Sequence, residues 1–339
     1  MAVDLAAPPR VSVAMPVRNA MPHLTDSVRS ILDQTLEDLE FVILDDGSTD
    51  GSTEVLRELA RSDRRIRLFE LRESLPPAES FNYVVARCNA PLVARMDADD
   101  VSTPERLQRQ ADVMREADDA VAIGTLADGI DSEGRPVRPR DRWRLIRCPE
   151  IPFPHGSAMF TRRAFEEIGG YRPATWPWED VDLFLRLGDL GRILVLPDAL
   201  YSYRYHLNTT TLSHSATEAA RSTRLLHRAL DQRRAGRDHT SPTENGARGP
   251  VPREMVALAH RSQGALRLWA GERPRVLRQL FRGRALRFSR TGLRTLAWAV
   301  WAEVSPATLR LFLLWLIRAR DRLAGVRLRD GRPCEWRLR

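Results

Sequence analysis

The sequence of 339 residues contains no lysine, so all 53 of its basic residues are arginine. That bias carries no chemical message by itself. Cysteine is scarce: Cys88, Cys148 and Cys334 are widely spaced and form no CxxC pair. This excludes a disulfide scaffold and a cysteine-based zinc site, and it fits a reducing compartment. No run of 18 apolar residues exists, which excludes a simple transmembrane helix. The amino-terminal MAVDLAAPPR has no basic segment leading into a long apolar stretch, so a secretory signal is not expected. What remains is ordinary for a folded chain, 43% hydrophobic and 29% charged. A mostly disordered chain is thereby excluded. At ~150 residues per domain, about two domains are expected.

The net charge of +8 hides a division. Residues 1–215 carry 26 arginines against 35 acidic residues, and residues 216–339 carry 27 against 10. A basic tail of this kind can meet nucleic acid, an anionic membrane or an acidic partner. No nucleic-acid-binding motif accompanies it, so no nucleic acid partner is expected.

The first half alternates between strand and helix patterns. VSVAMPV at 11–17 is a short apolar run ended by Pro16 and the polar Arg18-Asn19, as in a buried strand. Pro22 opens a helix that places Leu24, Val28, Ile31 and Leu32 on one face. A second strand, 39–44, runs into Asp45-Asp46-Gly47-Ser48-Thr49-Asp50, where Ser48, Thr49 or Asp50 can cap the next helix. Strands at 66–69, 91–96 and 121–124 and helices near 78–89 and after Pro104 continue the pattern. Residues 125–155 read as irregular. A helix is expected over 179–190, with short strands at 193–196 and 199–203. Alternation with short joints predicts an α/β fold with a mostly parallel sheet. Such sheets bind ligands at the carboxyl ends of their strands.

Two of these strands end in acidic loops. In Asp97-Ala98-Asp99-Asp100 the alternate carboxylates can face one spot, and hard cations such as Mg²⁺ or Mn²⁺ take oxygen ligands of that kind. Acids at the start of a helix read equally as partners of its dipole. The loop Asp45–Asp50 has the same plain alternative, a capped strand-to-helix turn. Its carboxylates accept and do not donate, so they suit a sugar hydroxyl or a base N–H. Trp178-Glu179-Asp180 opens an amphipathic helix, and Asp182 is spaced to pair with Arg186. No Ser-His or Cys-His pair is apparent.

Taken together, six blocks resemble the family 2 glycosyltransferases of the GT-A fold. They are VSVAMPVRNA with SVRSILDQT, FVILDDGSTDGS, ARMDADDVSTPERLQRQ, PHGSAMFTRRAFEEIGGY, WEDVDLFLRL and YRYHLNTTTLS, and they cover roughly residues 10–215. The resemblance implies an inverting, metal-dependent transfer of a sugar from a nucleotide diphosphate donor, and a UDP-sugar is expected. It implies that Pro16, Val17 and Asn19 line the nucleotide pocket, that Asp46 reads the base and that Asp45 supports the loop. Asp97 and Ala98 would lie on the donor, facing the ribose or the metal. Asp99 would bind the Mg²⁺ or Mn²⁺ that bridges the two phosphates. Asp180 would be the general base, which an inverting transfer needs on the face opposite the leaving nucleotide. His155, Glu179 and Trp178 would lie on the acceptor side, Arg204 on a phosphate and His206 on the metal or a phosphate. Trp176 and Trp178 can pack on sugar rings or anchor the core. Arg18 stands where an aromatic is frequent in the family.

The expected organisation is a catalytic domain over 1–215, a helix and linker over 216–250, and a basic helical region over 251–339. Within the last region, LRTLAWAVWA and LRLFLLWLI can lie at a membrane interface, pack on the catalytic domain or form a homodimer contact. The acceptor would be a glycan, a lipid-linked intermediate or a small molecule. The expected location is cytoplasmic, at the inner face of the membrane if the tail meets lipid.

Overall fold

A computed structural model describes residues 8–136, 153–175, 179–206 and 334–336. The expectations for Trp176, Trp178, the linker and the helices of the basic region fall outside the described residues. By its contacts the chain divides into two units. The first comprises Met1–Asp128, Arg142–Tyr203 and Leu328–Arg339, and the second comprises Gly129–Asp141 and Arg204–Arg327.

The order of elements is β1 (Val11–Val17), α1 (Leu24–Leu32), β2 (Leu39–Asp46), α2 (Ser52–Ser62), β3 (Ile66–Leu71) and α3 (Pro77–Val85). Next come β4 (Leu92–Arg95), β5 (Val101–Ser102), α4 (Arg106–Glu116), β6 (Ala120–Ile130), β7 (Met159–Thr161) and α5 (Arg162–Glu167). Then α6 (Glu179–Leu190), β8 (Arg192–Arg204) and β9 (Cys334–Trp336) follow. The strands form one sheet in the order β3-β2-β1-β4-β7-β6-β8-β5, with β9 beside β8.

The first half of this sheet is parallel: β2 and β4 flank β1, and β3 lies outside β2. β1 is central and its apolar residues are buried on both faces, which explains its unbroken apolar run. Val11, Val13, Met15 and Val17 join Phe41 and Ile43 of β2 in one cluster with Leu24, Val28 and Ile31 of α1 and Leu107 and Ala111 of α4. Alternate side chains point to opposite faces, so Ala14, Val42 and Leu44 are buried outside this cluster.

The second half is antiparallel where β4 meets β7, β7 meets β6, and β8 meets β5 and β9. Here the sequence is least direct. β6 runs to Ile130, beyond the expected end at Gly124 and into the stretch read as irregular. β8 is one strand of 13 residues where two short ones were expected. Its Pro197 lies between the residues paired with β9 (Ile193–Val195) and those paired with β5 (Tyr201–Ser202). α1 starts at Leu24 rather than at Pro22.

Candidate active site

The parallel strands β2 and β4 bring both acidic loops to one edge of the sheet, on either side of β1. Val17 pairs with Asp45 and Ala14 with Arg95, so Pro16 and Val17 stand between the two loops.

On the β2 side, the chain's own donors hold the carboxylates. Asp45 accepts from the Ser48 amide at 3.1 Å and the Thr53 hydroxyl at 2.5 Å, which closes the turn into α2. Gly47 sits at φ 68°, and a Cβ there would lie 3.3 Å from the Arg72 carbonyl. Asp50 accepts from the Ser52 amide at 3.0 Å and its hydroxyl at 2.6 Å, and so starts α2. Asn19 is also left-handed, at φ 52°. Its side-chain oxygen accepts from the Thr49 amide at 2.8 Å, while its own amide donates to Ser48, tying the loop after β1 to the loop after β2. Asp46 is buried. It accepts from the Leu75 amide at 2.8 Å and the Ser80 hydroxyl at 2.8 Å. Ser74 bridges from Asp46 to the exposed guanidinium of Arg18.

On the β4 side, the acidic loop rests on buried arginines. Arg95 pairs with Asp97 and is itself only 3% exposed. Burial acts to lower the Arg95 pKa, but the Asp97 carboxylate with Tyr171 and Tyr201 outweighs it, and the net direction is upward. Arg106, at the start of α4, is fully buried and donates to the carbonyls of Arg95 and Gly156, each at 3.0 Å. Burial pulls its pKa down to about 10. The Asp97 amide donates to the Tyr201 hydroxyl at 3.3 Å. Ala98 and Asp99 are half-buried in the turn that follows. Among the described residues, no group of three or more His, Cys, Asp or Glu side chains is arranged to hold a metal ion.

His155 occupies a 3₁₀ turn, His155–Ser157, ahead of β7. Its ring lies against Arg95 Nη1, 2.5 Å from Nδ1 and 2.7 Å from Nε2. Nε2 is also 2.6 Å from the Tyr171 hydroxyl. Phe81 of α3 covers the group: Arg95 stacks 3.7 Å from its ring centre, and Tyr171 lies 5.2 Å away, centre to centre. Burial drives the Tyr171 pKa up, Arg95 opposes this, and the carboxylates of Glu179 and Asp180 add to it. The first turn of α6, with Glu179 buried and Asp180 half-buried, is therefore within electrostatic reach of the same hydroxyl. Asp182 and Arg186 pair at 2.6 Å, as the i,i+4 spacing predicts.

Arg204 and His206 belong to the second unit. Arg204 is buried with Nη1 3.4 Å from the Asp131 carbonyl, and His206 is half-buried. The loops of Asp46 and Asp97 thus share one edge, His155 joins it through Arg95, and α6, which carries Glu179 and Asp180, is fastened by Arg186 to the turn before Tyr171.

Arg95, Arg106, Tyr171 and Phe81 were not singled out from sequence. The signal for the arginines was present: Arg95 interrupts an apolar strand, and Arg106 falls on the buried stripe of α4 with Leu107, Gln110, Ala111 and Met114.

Residues 12–169 match the model of the glycosyl transferase family 2. EpsE of Bacillus subtilis, named as a glycosyltransferase, is 33% identical over 204 residues, covering 58% of this chain and 73% of EpsE. The chain belongs to glycosyl transferase family 2. The chondroitin synthase of Escherichia coli is 25% identical over 240 residues, 70% of this chain but only 35% of that larger protein. The mannosyltransferase of Pyrobaculum calidifontis, solved with GDP-Man and Mn²⁺, superposes with a TM-score of 0.54 at 21% identity, covering 94% of this chain and 88% of that one. That likeness identifies the fold as GT-A. The protein is a glycosyltransferase with relatives in polysaccharide synthesis.

Proposed function

We propose that this glycosyltransferase moves a sugar from a UDP-sugar to a glycan or lipid-linked acceptor, with inversion and with a divalent cation. The observation that carries the reading is the meeting of two acidic loops at the carboxyl edge of the parallel sheet, with Asp97 joined through Arg95 and His155 to Tyr171, and the turn before Tyr171 fastened by Arg186 to α6, which opens on Glu179 and Asp180.

Pro16, Val17 and Asn19 form the floor of the donor pocket between the loops. Both oxygens of Asp46 already accept hydrogen bonds. A single further N–H therefore suits Asp46 better than two, and Arg18 beside it donates. Uracil offers one N–H between two carbonyls, which one acceptor and one donor complement; guanine offers two adjacent N–H donors. Asp45 keeps the turn rigid.

Asp97, Ala98 and Asp99 form the diphosphate end. Mg²⁺ and Mn²⁺ keep several waters and are held by one or two carboxylates together with phosphate oxygens. Hard oxygen donors of this number fit a cation that arrives with the donor. Such an ion, when bound, offsets the negative charge of the diphosphate. Arg204 and His206 are the remaining groups assigned to the phosphates. Asp180 takes the proton from the acceptor hydroxyl as that oxygen attacks the anomeric carbon from the face opposite the diphosphate. Glu179, His155 and Trp178 position the acceptor.

The division into a catalytic domain over 1–215, a linker over 216–250 and a basic region over 251–339 is part of this reading. Among the described residues no helix is long and apolar enough to cross a membrane. The excess of arginine beyond residue 216 supports docking of that region on an anionic membrane surface where a lipid-linked acceptor would lie.

The test is a thermal-shift panel of UDP, GDP and dTDP, each with Mn²⁺ or Mg²⁺. A ligand that binds only the native state raises the melting temperature. UDP with a divalent ion is expected to give the largest rise. No rise with any nucleotide contradicts the reading.

A further inference from the structure

We propose that Arg95, His155 and Tyr171 are positioning residues that couple the donor loop at Asp97 to the base at the start of α6. Filling of the donor site would then set the acceptor-side carboxylates in place. The inference rests on the glycosyl-transfer reading above and adds to it a dependence of one half of the site on the other.

One ring joins the guanidinium to the hydroxyl. Arg95 Nη1 lies 2.5 Å from Nδ1 and 2.7 Å from Nε2 of His155. Nε2 in turn lies 2.6 Å from the Tyr171 hydroxyl. The same guanidinium engages Asp97 through Nη2 and His155 through Nη1. One side chain thus serves both halves of the site.

The backbone repeats the link. Asn82 of α3 clamps the amide and carbonyl of Tyr171, both at 2.8 Å. Arg186 of α6 donates to the Ile168 carbonyl at 2.8 Å and the Gly170 carbonyl at 2.7 Å. The turn before Tyr171 is therefore fastened to the helix that carries Asp180. A shift of Asp97 on donor binding has a rigid, buried route to α6, because close-packed interiors transmit displacement.

Tyr171→Phe removes the hydroxyl and keeps the ring packing on Phe81 and Phe165. Arg95→Lys keeps one charge for Asp97 but cannot serve His155 as well. The measurement is amide exchange over residues 179–184 without and with UDP and Mn²⁺, beside calorimetric binding of the same probe and steady-state kinetics. In the wild type, UDP with Mn²⁺ should slow exchange at the start of α6. In Tyr171→Phe, and in Arg95→Lys, binding should stay within about twofold while the slowing disappears and kcat falls at least about tenfold at unchanged donor KM. Slowing retained in Tyr171→Phe overturns the coupling, as does wild-type binding without slowing. Absence of UDP or GDP binding by the wild type overturns the glycosyl-transfer reading instead.

Discussion

Asn82 holds Tyr171 by both backbone groups: its side-chain nitrogen donates to the Tyr171 carbonyl and its oxygen accepts from the Tyr171 amide, each at 2.8 Å. A single side-chain amide thereby makes the two bonds that a neighbouring strand makes in a sheet. Asn82→Ala leaves both groups without that partner, and an unmade bond at a shielded group costs about 1–3 kcal/mol. The expected outcome is a lower denaturation midpoint in urea with an unchanged slope. An unchanged midpoint would show that water replaces the clamp at no cost.

Gly156 leaves no space for a side chain. A Cβ there would lie 2.1 Å from the Tyr201 hydroxyl and 2.6 Å from the Asp97 carboxylate. The Tyr201 hydroxyl accepts from the Asp97 amide, so Gly156→Ala presses on the acidic loop both directly at Asp97 and through Tyr201. A displacement of about 1 Å at a reacting centre can reduce turnover by about 100-fold. Loss of that order with a native-like circular dichroism spectrum is expected. Full activity would mean that Asp97 can move freely.

Stability should fall with acid in a defined direction. Burial works against the charged form of Asp50, but hydrogen bonds from Ser52 and Met21 outweigh it and hold its pKa below the ordinary 3.8. Hydrogen bonding by Arg65 lowers Asp63, and that by Gln108 lowers Asp112. A carboxylate with a depressed folded-state pKa stabilises fully above its unfolded pKa and loses that contribution as pH falls through the folded value. Melting temperatures measured from about pH 7 to about pH 3 should therefore drop chiefly below about pH 4. The drop should be shallower in Asp50→Asn. An identical profile in the variant would remove Asp50 from this account.

Cys88 is buried, and burial together with the charge of Glu40 pushes its thiol up to about 12. The thiolate is the reactive form. Iodoacetamide at neutral pH should leave Cys88 unmodified in the native protein and alkylate it after denaturation, as read by peptide mass. Native alkylation at this residue would contradict the packing around β1 and α3.

The parallel half of the sheet was legible because its strands are continuous apolar runs between capped helices, as at Val11–Val17 and Leu39–Asp46. The antiparallel half was not. β5 has two residues and β7 three, too short for any periodicity, and Pro197 reads as a break although β8 runs through it. In the site, the acidic loops were legible as motifs, because carboxylates in a turn after a strand are visible locally. The arginines beneath them left only the local signals of a charge in an apolar strand and on a buried helix stripe; their partners were not legible, since Arg95 and His155 are 60 residues apart and meet only in the fold.

In the proposed reaction Asp180 takes a proton from the acceptor at a site whose donor half is complete without it. Turnover of a UDP-sugar by Asp180→Asn, measured beside calorimetric binding of UDP and Mn²⁺, tests it most directly. The predicted result is binding within about twofold of wild type and a fall in kcat of at least about 100-fold, the scale of a lost general base. Turnover near the wild-type rate in the variant would contradict it.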